Sequence, residues 1–182
     1  MTDSVAATAE DYSQEREFLG HPVGLYVCFT TELWERFSFY GMKYLLLLYL
    51  TKYHLFTDEM GFDVLGSYAG LVYALPLIGG IIADRFLGMR KSVLFGGISL
   101  SLGHILMAVE GYQAKFYAAG TTLTESLTLA SGDVSAAGTV LAEDITMRDT
   151  AALNVVYFAL ALIVMGVGYL KPNISTIVGK LY

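Results

Sequence analysis

The sequence predicts an all-α membrane protein, and three observations carry that expectation. Of its 182 residues, 55% are hydrophobic and 15% charged, whereas a soluble domain of this length is about a quarter charged. The mean hydropathy is positive. The apolar residues also gather into four runs of membrane-spanning length, with the polar residues collected between them. The net charge of −6 identifies no partner, because much of the acid sits in the leader and in one long connection. Cys28 is the single cysteine, so no intramolecular disulfide can form.

Taken in order, residues 1–22 read as a polar leader. Gly20-His21-Pro22 forms the break before the first span. The start, MTDSVAATAEDYSQERE, has no basic region followed by a short apolar run, so no signal peptide is expected. The first span covers about 23–50 and the second about 64–86, with a kink expected at Pro76. A basic turn, 84–91, leads to a third span at about 92–109. That span is lined with Gly96, Gly97, Ser99, Ser101 and Gly103, small residues that favour close helix approach.

Residues 110–150 differ in kind, being rich in Thr, Ser, Ala and Gly. They alternate weakly around a turn at Ser131-Gly132-Asp133, and both a small hairpin and a loosely ordered loop fit them. The fourth span covers about 152–181. The spans show no internal repeat among themselves. Short-loop Lys and Arg set orientation: the 84–91 turn holds Arg85, Arg90 and Lys91, against Lys52 alone after the first span. That turn, and with it both termini, is expected in the cytoplasm, with 110–150 outside.

Candidate chemistry centres on ELWERFSFYGMK, residues 32–43. At 100° per residue Glu32, Phe39 and Lys43 fall nearly on one line, flanked by Glu35 and by Arg36 with Tyr40, while Leu33, Trp34 and Phe37 face away. Glu32 lies about 14 Å and Arg36 about 20 Å along the helix from Val23, near mid-membrane, where ionisable groups normally line a cavity. One reading is a structural ion pair. The other starts from the surplus of acid: a second carboxylate beside Arg36 suggests a site where protonation changes while the cation persists. Lys171 admits two positions, snorkelling at a helix end or buried in a helix that continues through Pro172. His104, isolated among Gly, Ile and Leu, reads as packing before proton transfer. Tyr68 and Tyr73 fit either packing or a lined path. No metal-ligand spacing, phosphate loop or nucleophile–base pairing is present, so neither catalytic nor metal residues are assigned.

At these residues a family resemblance becomes specific. ELWERFSFYG is similar to the ExxERFxYYG signature of the proton-dependent oligopeptide transporter family. IGGIIADRFLGMRK resembles the major facilitator turn between the second and third helices, and YLKPNISTIVGKLY the family's fourth-helix motif. The resemblance leaves out 110–150. It implies the major facilitator fold, of which these would be the first four helices of a six-helix N-terminal half.

It also implies roles. Glu32, Glu35, Arg36 and Lys171 would serve proton coupling. Arg36, Tyr40, Tyr73, Lys171 and Asn173 would bind substrate, and Lys43 would belong to an outer gate. Phe39 departs from the signature's first tyrosine. Gly66 stands where animal relatives carry a second-helix histidine, so coupling is expected to rest on carboxylates.

The function these observations imply is proton-coupled import of di- and tripeptides. The chain is expected to be an N-terminal portion that needs further helices, in a bacterial inner membrane. A proton gradient rather than a cofactor would drive it, and nucleic acid is not among its expected partners. Two alternatives stay open: a family member carrying another solute such as nitrate, and a membrane enzyme or subunit using the buried acids.

Overall fold

The computed structural model describes residues 16–128 and 134–181, apart from the side chain of Asp84. Most of the leader and the Ser131-Gly132-Asp133 turn lie outside the described residues. Four α-helices appear among those described: α1 (Val23–Leu48), α2 (Asp58–Ile82), α3 (Met89–Leu106) and α4 (Thr150–Lys180). Before α1, two short strands, β1 (Glu17–Phe18) and β2 (His21–Pro22), pair antiparallel, and Pro22 leads directly into the helix.

α1 and α2 each end in a π-helical turn, Tyr49–Tyr53 and Ala83–Leu87. The second span begins at Asp58 rather than at Val64. Its cap is Thr57, whose hydroxyl accepts the Met60 N–H, and Asp58 and Glu59 favour the positive end of the helix dipole. Gly88 turns the chain into α3 with φ at +77°, a conformation that side chains other than glycine rarely adopt. α2 with its π turn and α4 are apolar and long enough to cross a membrane. α1 has the length, but Glu32, Glu35 and Arg36 at its centre make it too charged to qualify on composition.

α4 is the organising helix. It packs most extensively on α3 and then on α2, and it contributes more buried residues than any other helix. Small residues permit this. A Cβ on Gly79 would overlap the Gly168 carbonyl, the group that Pro172 leaves without its helical N–H donor. The core joins Phe39, Leu46 and Leu50 to Tyr68 and Val72 and to Val156, Leu160, Ile163 and Val167.

The described residues between 110 and 150 form an antiparallel ribbon. β3 (Lys115–Tyr117) pairs with β6 (Ile145–Met147), and β4 (Leu127–Thr128) with β5 (Val134–Ser135). A bridge between Thr122 and Val140 lies between the two pairs. The ribbon is built from a repeat: AAGTTLTESLT at 118–128 and AAGTVLAEDIT at 136–146 agree at seven of eleven positions.

The hydrogen bonds repeat with the sequence. Gly120 N–H donates to the Leu141 carbonyl at 2.8 Å, and Gly138 N–H to the Leu123 carbonyl at 2.8 Å. Leu123 and Leu141 N–H donate to the Thr139 and Thr121 carbonyls, each at 3.0 Å. A local twofold axis therefore relates the two halves, and Leu123 and Leu141 are its buried pair. The ribbon is tied down at its base. Arg148 donates to the carbonyls of His54 and Leu55 at 2.7 and 2.8 Å, and Asp149 caps α4 by accepting the Ala152 N–H at 3.0 Å.

Candidate functional site

α1 turns Glu35 and Phe39 inward and leaves Leu33, Trp34 and Phe37 on its outer face, as the helical spacing requires. The Glu35 side chain is only 4% exposed. Its Oε2 lies 3.6 Å from Arg36 Nε and its Oε1 3.8 Å from Lys171 Nζ, and among the described residues neither oxygen accepts a hydrogen bond. Arg36 is held more closely by Glu32, with Nη2 and Nε each 3.1 Å from Glu32 Oε1. One buried carboxylate is thus shared by two cations from different helices. Burial penalises its charged form, and the two cations act against that penalty without cancelling it.

Lys171 reaches this position because α4 runs on through Pro172 to Lys180, so the lysine is not at a helix end. Asn173 is 2% exposed, and its amide donates to the Tyr169 carbonyl at 2.7 Å, which commits it to its own helix. Among the predicted site residues it is the least exposed on this chain.

Phe39 is an aromatic hub. Its ring lies 5.4 Å from that of Tyr40, 6.1 Å from that of Tyr68 and 6.3 Å from that of Tyr73, with Lys43 Nζ 5.2 Å from its centroid. The departure from tyrosine has a physical setting here: the position is buried among rings, and phenylalanine needs no hydroxyl partner. Tyr40 and Tyr73 are both exposed on this chain.

A cavity of about 320 Å³ lies between α1 and the other helices, lined among others by Glu35, Ser38, Tyr68, Ser101 and His104. His104 Nε2 is 2.6 Å from Ser38 Oγ. Sequence reading does not single out Ser38. Its place three residues after Glu35, on the same helix face, is the signal that finds it.

Four helices gathered round a shared buried carboxylate have the form of a membrane transporter segment, and similar solved structures make the class specific. A mutant peptide transporter POT in complex with sulfate matches with a TM-score of 0.68 at 31% identity, covering 94% of this chain and 29% of that one. The same transporter type in complex with alafosfalin matches at 0.66 and 33% identity, covering 94% and 30%. The fold is that of a major facilitator transporter.

No protein-family model matches the chain, but curated relatives do. The uncharacterized transporter YclF of Bacillus subtilis (strain 168) is 34% identical over 178 residues, and the di-/tripeptide transporter of Lactococcus lactis subsp. lactis (strain IL1403) is 34% identical over 177. Each alignment takes in 92% of this chain and 27% of the relative. The chain therefore belongs to the proton-dependent oligopeptide transporter family as an N-terminal portion, and spans about a quarter of its relatives' length.

Proposed function

We propose that this chain is part of a proton-coupled symporter importing di- and tripeptides. The observation that carries the reading is Glu35, buried between Arg36 and Lys171. Protonation of Glu35 or Glu32 removes negative charge that those cations balance, and they become free to hold a peptide's C-terminal carboxylate. Tyr40 and Tyr73, exposed beside the Phe39 hub, contribute to the substrate surface, and Lys43 to an outer gate. Asn173, two residues after Lys171, is assigned to the substrate site with it, its amide oxygen left for the substrate while its NH2 donates to the Tyr169 carbonyl. Binding and protonation together bias the two halves of the complete transporter toward closure. The 84–91 turn lies in the cytoplasm and the ribbon outside, in a bacterial inner membrane. The transporter names of the relatives support this reading over a membrane enzyme.

The test is uptake of labelled dipeptide by the full-length transporter in proteoliposomes, with and without an imposed proton gradient. Glu32→Gln and Glu35→Gln keep the shape but cannot titrate. Both are expected to depress gradient-driven accumulation more than counterflow. Full accumulation in both variants would move the proton site elsewhere, and uptake of nitrate but no dipeptide would favour the other-solute reading.

A further inference from the structure

Two cavities open between α1 and α3, and His104 lies on the wall they share. The first, described above, reaches Glu35. The second, about 590 Å³, extends toward the ends of α1 and α3 and is lined by Tyr49 and Glu110 among others. Ser38, Met42 and His104 line both. The titratable groups on the first are Glu35 from α1 and Tyr68 from α2, and those on the second are Tyr49 and Glu110. α4 lends the first cavity only Ile163, Val167 and Leu170, and lends the second nothing.

The hydrogen bonds of His104 set its tautomer. Nδ1 lies 2.8 Å from the Leu100 carbonyl oxygen, which can only accept, so the proton is on Nδ1. In the neutral ring Nε2 is then the bare nitrogen and accepts the Ser38 hydroxyl at 2.6 Å. If Nε2 gains a proton, the serine oxygen can accept in turn, because a hydroxyl serves both roles. The contact therefore survives protonation with its direction reversed, which a packing histidine does not need.

We propose that His104 and Ser38 form a proton relay between the outer cavity and Glu35, an inference that rests on the proton-coupled reading above. A proton from water in the outer cavity adds to Nε2 as Ser38 turns from donor to acceptor. That proton passes from Nε2 to the Ser38 oxygen while Ser38 releases its own proton through water in the inner cavity to the Glu35 carboxylate. His104 returns to its neutral form, and Glu35 ends as the neutral acid. One proton enters and one carboxylate is neutralised.

The experiment uses the full-length transporter in proteoliposomes with labelled dipeptide. It measures gradient-driven accumulation across pH together with counterflow, for wild type, His104→Gln, Ser38→Ala and Ser38→Thr. Glutamine can still hydrogen-bond Ser38 but cannot carry a proton. His104→Gln is expected to lower gradient-driven accumulation by at least about tenfold, with a much smaller loss of counterflow, since a positioned proton-transfer group is worth at least that factor. Ser38→Ala is expected to follow it, and Ser38→Thr, which restores a hydroxyl, to recover the rate. An unchanged pH profile in His104→Gln, or equal loss of accumulation and counterflow, overturns the relay while leaving the proton-coupled reading intact. A wild type whose accumulation ignores the gradient overturns both.

Discussion

Gly96 and Gly166 face each other across the α3–α4 contact, and a methyl group on either would lie 2.8 Å from the other's carbonyl oxygen. Neither backbone can give way without separating the helices. Gly96→Ala and Gly166→Ala should each destabilise the helical bundle by about 1–3 kcal/mol, the range for overpacking a close contact. Gly97 is the control, because a Cβ there meets nothing within 4 Å. Thermal unfolding in detergent should show a lowered midpoint for the first two variants and little change for Gly97→Ala. Equal midpoints in all three would mean the helices are less tightly held than they lie here.

Arg36 and Lys171 should differ in what they tolerate. Arg36 offers a planar fork suited to a carboxylate, whereas Lys171 acts as a point charge. Arg36→Lys should therefore impair dipeptide uptake although charge is kept. An amidated dipeptide should bind wild type at least about tenfold more weakly than the acid, because the cations lose their anion. In Arg36→Ala or Lys171→Ala that discrimination should shrink. Competition by the acid and amide forms of one dipeptide measures it, and undiminished discrimination in both variants would confine these bases to coupling or structure.

Asp149 makes the joint between ribbon and α4 acid-sensitive. Its carboxylate accepts the backbone N–H groups of Ala152 and Tyr112, which holds it below the ordinary aspartate range. The sign follows from that direction. A depressed carboxylate contributes stability in full above the unfolded value of about 3.9, and loses it as pH falls through the lower folded value. Protection of the Ala152 and Tyr112 amides, measured against their intrinsic exchange rates, should fall below about pH 4, and Asp149→Asn should lower that protection at neutral pH. Exchange that is indifferent to both changes would assign the joint to Arg148 alone.

What could be read in advance follows from how strongly each feature stands against its background. Glu32, Glu35, Arg36 and Lys43 are visible because ionised groups in an apolar run need a reason. The four helices are visible because long apolar runs are set apart by polar connections. The start of α2 at Asp58 is hidden because its first turn is polar and looks like connection, although Thr57 followed by two acids is a cap signal. The fate of Lys171 depends on whether a helix survives Pro172, where Gly79 packs against the carbonyl the proline leaves without its helical donor. No local pattern expresses such a contact. The ribbon's repeat was present in the letters, but its units are short and of a composition usually met in loops.

The pairing of Lys115 with Met147 means that the chain departs from the membrane-facing body and comes back to it at nearly one point. To α3 and α4 the intervening residues are a closed detour, equivalent to a short bridge. Such a unit can be gained, lost or exchanged without re-threading either helix. A reporter or antibody epitope spliced at its far end would accordingly be carried by the transporter as a passenger, offering a handle on orientation that leaves the helices where they are.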